Sequence, residues 1–296
     1  MDRLTRSGLA GLMTKHPILV TGGTGTTGGR VVPRLRAQGE PVRVASRSGE
    51  PSFDWLDRAT WDAALDGVKA VYLVPIDGEL LTRPFTERAV ELGVERVVLL
   101  SGRGVDVPGY SGEANIAGAT HVDGEAAVRD SGIAWTILRP TWFAQNFSEG
   151  SFLDAILAGE LRLPAGEGAA SFVDAEDIAA VAVAALTEDG HDGQTYELSG
   201  PRALTIADAV AEISNATGRD IRYVPLSPGE FVAELTGQGW PAAEAEDYAE
   251  AVSPIRRGMD SHLSDGVRRA LGRRPRDFTD YVKASVGAWG AVGERA

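Results

Sequence analysis

A glycine-rich run at residues 21–28, Thr-Gly-Gly-Thr-Gly-Thr-Thr-Gly, places the strongest constraint on the fold of this chain. It follows a short apolar segment at 17–20, which predicts a buried strand, and precedes a segment at 30–35 that predicts the start of a helix. Where a strand, a glycine turn and a helix meet, backbone N–H groups and the positive end of the helix dipole attract phosphate. Glycine clusters also form ordinary turns, so the flanking strand and helix are what favour a phosphate-binding turn here.

Short apolar segments alternate with amphipathic segments through the first half of the chain. This pattern predicts βαβ units, and so an α/β fold with a Rossmann-type parallel sheet and helices on both faces. Such sheets bind ligands beyond the carboxyl ends of their strands, where the glycine run lies. The predicted strands are 18–21, 42–46, 70–74, 96–101 and 134–138, and the predicted helices are 27–38, 60–65, 80–92 and 113–130.

The second half predicts a smaller, mostly helical lobe for binding the substrate. Its predicted elements are a helix at 174–186, a strand at 195–198, a helix at 205–217 and a strand at 221–224, followed by mostly helical, acidic sequence. We therefore expect one compact unit, some of whose later strands could rejoin the sheet. Its predicted parts are a flexible N-terminal extension (1–15), a dinucleotide-binding domain (16–150) and a smaller α/β substrate lobe (151–296).

Charge and composition argue against several classes of protein. The formal net charge of −13 disfavours nucleic acids and anionic membranes, which select basic surfaces. The chain has no cysteine and four scattered histidines, so we predict no disulfide, no thiolate chemistry and no metal site. No apolar run approaches the roughly 18 residues of a membrane span, and we predict a cytoplasmic protein.

A basic residue follows the second predicted strand, where the adenosine ribose of a bound dinucleotide would lie. An acidic residue about 20 residues beyond the glycine turn would favour NAD. Instead, Arg47 between Ser46 and Ser48 offers a charged fork for a 2′-phosphate, which favours NADP(H); the alternative is an ordinary surface arginine. The predicted cofactor-binding residues are Gly22, Thr24, Gly25, Thr26, Thr27, Gly28, Ser46, Arg47, Val74, Pro75, Ser101 and Pro140.

Several strings resemble the NmrA-like branch of the atypical short-chain dehydrogenases. The glycine run, the strand end at 44–47, Leu-Arg-Pro at 138–140 and the helix at 174–186 carry this resemblance. The strings at 53–57, 71–75 and 138–143 more closely resemble fungal ergot-alkaloid reductases of the festuclavine synthase and agroclavine dehydrogenase type. The resemblance implies a Rossmann fold, NADP binding and reduction of quinones or iminium ions, although some relatives bind the dinucleotide and act as regulators.

The proton-donating pair of ordinary short-chain dehydrogenases is missing. Those enzymes use Tyr-x-x-x-Lys, in which the lysine lowers the pKa of the tyrosine. The three lysines here, Lys15, Lys69 and Lys283, do not follow a tyrosine at that spacing. His121 and Glu125 stand where the pair would lie, on one helix face. A similar arrangement in quinone-reducing relatives implies that His121 donates a proton while Glu125 raises its pKa; the alternative is a solvent-facing ion pair.

Further candidate site residues follow two predicted strands. Ser101 lies either near the nicotinamide or at the cap of a turn. Tyr110, in the next loop, either approaches the substrate or anchors the loop. Trp142, Phe143 and Asn146 either wall the nicotinamide pocket or pack between the two lobes.

The missing pair narrows the chemistry that we predict. A ketone needs a proton donor as its alkoxide develops, whereas an iminium ion is already charged, and quinones and activated enones accept hydride readily. We therefore predict an NADPH-dependent reductase of such a small organic molecule, assembled as a homodimer. Two alternatives stay open: a regulator that senses NADP(H) without turnover, and a non-redox isomerase or cyclase.

Overall fold

The computed structural model describes residues 15–110 and 116–290, with only the backbone for residues 116 and 117. The strands of the described residues are β1 (Ile18–Val20), β2 (Val42–Val44), β3 (Ala70–Leu73), β4 (Arg96–Leu100), β5 (Ala134–Pro140), β6 (Glu160–Leu163), β7 (Ala169–Ala170), β8 (Gln194–Leu198), β9 (Leu204–Thr205) and β10 (Arg222–Pro225). Their α-helices are α1 (Gly28–Ala37), α2 (Trp61–Leu65), α3 (Thr82–Glu91), α4 (Ile116–Asp130), α5 (Leu153–Ala158), α6 (Ala175–Thr187), α7 (Ile206–Thr217), α8 (Pro228–Gly237), α9 (Ala242–Arg256), α10 (Gly266–Leu271) and α11 (Phe278–Ser285).

Six strands form one parallel sheet, in the order β2-β1-β3-β4-β5-β8. This confirms the predicted Rossmann-type sheet, and each of the first five strands lies within the predicted segment or extends it by a short step. The strand order runs in opposite directions from β1 and β3, which places a switch point between their carboxyl ends. β8 comes from the second half of the chain and pairs with β5, so the sheet draws on both halves.

Alternate strand residues pack against the two layers of helices. Val20 and Val98 belong to the core that α1 and α6 cover, whereas Leu19 and Leu99 belong to the core beneath α2, α3 and α4. All four side chains are essentially buried. Because helices cover both faces of the sheet, the sequences of these strands are mostly continuous apolar runs and do not alternate between apolar and polar residues.

A third core joins the helices of the second half around aromatic side chains. The indole Nε1 of Trp289 donates to the carbonyl oxygen of Phe147 at 2.7 Å, which ties the end of the described chain to the segment after β5. The domain boundary at residue 150 stays a prediction. The predicted extension, apart from Lys15, and positions 113–115 of a predicted helix lie outside the described residues. Within the described ranges, no helix is long and apolar enough to cross a membrane.

Candidate functional site

The glycine-rich run forms a tight turn between β1 and α1. Gly22 has a φ of 62°, in the left-handed region that favours glycine, and its carbonyl oxygen accepts from the N–H of Gly25 at 2.9 Å. A Cβ atom on Gly28 would lie 2.3 Å from that same carbonyl oxygen. Glycine at position 28 therefore lets the first turn of α1 pack against the loop, which is the geometry that brings helix N–H groups to a phosphate.

Thr21 fixes this turn to the end of β3. Its hydroxyl donates toward the carbonyl oxygen of Val74 at 3.2 Å and accepts from the N–H of Val74 at 2.7 Å. Val74 and the following Pro75 are therefore held beside the turn. The predicted residues Gly25, Thr26, Thr27 and Gly28 form the turn itself and the start of α1.

A groove of about 820 Å³ runs beside the turn, across the ends of β1, β2 and β3. Arg47 lies in its wall and is exposed, and it has no ion-pair partner within the described part of the chain. Its guanidinium group is therefore free to meet an anionic ligand, and the glycine turn and groove together fit a dinucleotide. The predicted residues that line this groove are Gly22, Thr24, Ser46, Arg47, Val74 and Pro75.

A second cavity, of about 520 Å³, adjoins the groove because Val74 and Pro75 line both. Ala251 and Pro254 of α9 also line it, so the second half of the chain closes this cavity. The predicted residues in its wall are Ser101, Tyr110, His121, Pro140, Trp142, Phe143 and Asn146. Lining residues that the sequence reasoning missed include Asp77, Gly102, Arg103, Val105 and Thr141.

Glu125 lies behind Ser101, and its side chain is only 1% exposed. One carboxylate oxygen accepts from the Ser101 hydroxyl at 2.7 Å and from Arg139 Nε at 2.8 Å. The other accepts from Arg139 Nη2 and forms an ion pair with Arg129 Nη2, each at 2.8 Å. Although burial favours the neutral acid, the bonds from Arg139 and Ser101 hold the pKa of Glu125 below its ordinary value. The alternative prediction, a solvent-facing ion pair between His121 and Glu125, is therefore wrong.

Arg139 is the partner that the sequence reasoning missed. It lies in β5, its side chain is 8% exposed, and its Nη1 also pairs with Asp106 at 2.6 Å. It thereby joins the helix of Glu125 to the loop after β4. The sequence could have identified it as an arginine inside an otherwise apolar parallel strand, because a buried charge needs a partner.

His121 lines the cavity with its ring against Gly102. A Cβ atom on Gly102 would lie 3.5 Å from His121 Nε2. The other ring nitrogen, Nδ1, is buried and has no hydrogen-bond partner among the described residues. Burial lowers the pKa of His121 below its ordinary value, and the opposing charges of Asp77 and Glu125 do not overcome it. The ring is therefore neutral near pH 7. The charge of Glu125 acts to raise the pKa of His121, as expected, but burial outweighs it, and the Glu125 carboxylate bonds to Ser101 and Arg139.

Tyr110 anchors its loop through Asp260. The tyrosine hydroxyl donates to one carboxylate oxygen of Asp260, and Trp142 Nε1 donates to the other at 3.2 Å. Asp260 has no exposed surface. Burial, with the neighbouring carboxylate, raises the pKa of Tyr110 well above its ordinary value, which favours the loop-anchor alternative over proton transfer.

Residues 22–189 match a family described as NAD(P)H-binding. An NAD(P)H azoreductase from Xenophilus azovorans is 34% identical over 297 residues, covering 93% of this chain and all of the relative. An agroclavine dehydrogenase from Claviceps fusiformis is 34% identical over 291 residues, covering 92% of this chain and 98% of the relative. The solved structure of an NADPH-dependent quinone oxidoreductase from Escherichia coli is 27% identical, with a TM-score of 0.72, and the match covers 90% of this chain and 98% of that one.

The solved structure of NmrA, a negative transcriptional regulator, shares the fold at 16% identity with a TM-score of 0.71, and the match covers 92% of this chain and 96% of that one. The family match spans more than half of the chain, and both curated relatives align over nearly its whole length. This agrees with the glycine turn, the groove and the adjoining cavity. The chain belongs to the NAD(P)H-binding family, together with relatives named as an azoreductase and an agroclavine dehydrogenase.

Proposed function

We propose that this protein is an NADPH-dependent reductase of a flat, pre-activated electrophile: a quinone, an azo compound, an iminium ion or an activated enone. One observation carries the proposal. The dinucleotide groove opens at Val74 and Pro75 into a cavity with aromatic walls, Trp142 and Phe143. Relatives named azoreductase, agroclavine dehydrogenase and quinone oxidoreductase support this range of acceptors.

In this proposal, the groove binds NADP(H) chiefly through the phosphate groups of the cofactor. The turn at Gly22 and Gly28 receives the pyrophosphate, and Arg47 with Ser46 receives the 2′-phosphate, so NADP(H) is preferred over NAD(H). The nicotinamide end lies toward Pro75, where the groove meets the second cavity. When bound, the cofactor supplies the hydride.

His121 acts on the acceptor as a neutral imidazole. Its Nδ1 has no hydrogen-bond acceptor within the part of the chain that the structure describes, so we place the proton on Nε2, the atom beside Gly102 in the cavity wall. An Nε2–H group there donates to a quinone oxygen as negative charge develops on it, and a preorganised donor stabilises that charge. A neutral donor suffices because a quinone accepts hydride without prior protonation.

Steady-state oxidation of NADPH with a panel of quinones, azo dyes and cyclic iminium ions tests the proposal. We expect turnover of several acceptors and none of simple ketones, since the Tyr-x-x-x-Lys pair is missing. Tight NADPH binding without turnover of any acceptor would contradict it. That result would favour the regulator, whose affinity for a protein partner should then change with NADPH in a calorimetric titration.

A further inference from the structure

We propose that Ser101 selects electron acceptors that carry an N–H donor, such as iminium ions unsubstituted at nitrogen, because it presents only lone pairs to the cavity. This inference rests on the proposed function and assigns a substrate class to the same site.

The hydroxyl group of Ser101 donates its proton in a hydrogen bond to Glu125. A carboxylate can only accept hydrogen bonds, and Glu125 is held as a carboxylate by Arg139 and Arg129. The 2.7 Å contact between the Ser101 hydroxyl and Glu125 must therefore be donated by Ser101. The serine oxygen, whose residue lines the second cavity, is left as an acceptor toward any ligand there.

Charges of both signs lie around the cavity. Asp77 lies in its wall and is exposed. Arg103 also lines it, but its Nη1 donates to the Ser171 hydroxyl and to the carbonyl oxygens of Asp260 and His262. Its Nε and Nη2 are buried and have no hydrogen-bond partner among the described residues, so Arg103 keeps a positive charge beside the cavity. Selection between two ligands of equal charge therefore depends on the acceptor oxygen of Ser101.

The reaction then balances as follows. The N–H⁺ group of the iminium ion donates to the Ser101 oxygen, which holds the C=N bond in place. The iminium carbon gains the hydride, the π electrons become the lone pair of the product amine, and NADPH is oxidised to NADP⁺. An N-methyl iminium ion has the same charge and nearly the same shape but no donor, so it loses this hydrogen bond.

Two matched cations test the proposal: protonated 3,4-dihydroisoquinoline, below the pKa of the imine, and its N-methyl analogue. We expect a roughly tenfold preference of the native enzyme for the N–H cation in kcat/KM, the size expected for one hydrogen bond to a charged group. The same preference should appear in the calorimetric Kd of each cation for the enzyme–NADP⁺ complex, where no hydride is present.

Ser101→Ala should remove the preference by weakening the N–H cation alone. The variant should fold, because Glu125 keeps both arginine partners. Ser199→Ala is the control: Ser199 is 1% exposed, contacts the Gly200 carbonyl oxygen and lines neither cavity. It should keep the full preference.

The failures of the two proposals are distinguishable. If quinones are reduced but the native enzyme binds both cations equally, or if Ser101→Ala weakens both equally, the role of Ser101 is overturned and the reductase stands. If no acceptor is reduced while the N–H preference in Kd persists, the reductase is overturned and the role of Ser101 stands.

Discussion

The phenol of Tyr110 donates its hydrogen bond to the carboxylate of Asp260, a residue 150 positions further along the chain. The second oxygen of this fully buried carboxylate accepts from the indole of Trp142. The side chain of Asp260, in the second half of the chain, therefore holds Tyr110 and Trp142 in place. These two aromatic residues of the cavity wall come from different loops of the first half. We therefore expect Tyr110 and Asp260 to have structural roles.

Tyr110→Phe should lower kcat by less than about tenfold, because loss of a proton donor would cost ~10²–10⁴-fold. The loss of a hydrogen bond to a charged group should instead reduce the free energy of unfolding by roughly 1.5–3 kcal/mol. Steady-state kinetics and urea unfolding of the variant measure both effects. A hundredfold fall in kcat with an unchanged KM would show that Tyr110 does transfer a proton.

Gly28→Ala should abolish tight NADPH binding and destabilise the protein by about 1–3 kcal/mol, since the added methyl group would meet the Gly22 carbonyl oxygen at 2.3 Å. Gly29→Ala is the matched control in the same helix, because its nearest atoms are 3.8 Å away. Calorimetric NADPH titrations and thermal unfolding compare the two. Equal NADPH affinity in both variants would contradict the close packing of the turn as the basis of binding.

Arg47→Ala should raise the KM for NADPH by roughly 10–100-fold, the effect of losing charge-assisted bonds to a phosphate, and should leave the KM for NADH nearly unchanged. The value of kcat should hardly change, because Arg47 lines the groove and not the second cavity. The exposed Arg36, at the end of α1, offers a control substitution to alanine that lowers the net charge equally. An equal rise in KM for NADPH and NADH would mean that Arg47 does not bind the 2′-phosphate.

Glu125→Gln should destabilise the protein by about 3–5 kcal/mol near neutral pH, because two arginines lose their buried carboxylate. The pKa of Glu125 is lowered by folding, so its contribution is fully present above the ordinary pKa and is lost as the pH falls through the folded value. The difference between native protein and variant should therefore shrink in acid. Urea unfolding at about pH 7 and about pH 4 measures it; a difference that does not change with pH would argue against an ionised Glu125.

His121→Ala should lower kcat/KM for quinones by roughly tenfold or more, since one preorganised donor is lost. His121→Gln should recover part of the activity through its amide N–H. The neighbouring exposed Val122→Ala should behave as native. Burial lowers the pKa of His121. The kcat/KM of the native enzyme should therefore be constant at pH values above the ordinary pKa of histidine and change only in acid. A rate that titrates near or above the ordinary pKa would indicate a protonated His121 as the donor.

The sequence predicted the sheet, the glycine turn and half of the residues that line the second cavity. Local apolar runs and glycine spacing specify the sheet and the turn. It also placed His121 and Glu125 on one helix face. It did not predict that this face packs against Arg139, which redirects Glu125 away from His121 and toward Ser101. Helical spacing shows which residues share a face of a helix. It does not show which charged residues of other elements will pack against that face.

Asp260 carried no local signal at all. Acidic residues are frequent in this chain, and nothing in its neighbours distinguishes the one that becomes fully buried. The two partners of its carboxylate, Tyr110 and Trp142, lie more than 100 positions earlier, and these contacts depend on how the second half folds back over the sheet.

The wall that the groove and the cavity share limits how this protein could evolve. A change at Val74 or Pro75 alters the space for dinucleotide and acceptor together. Ala251 and Pro254 of α9 touch the acceptor cavity alone and can vary without loss of cofactor affinity. Relatives that exchanged one acceptor for another should therefore differ mainly along α9, and libraries for new substrates should begin there.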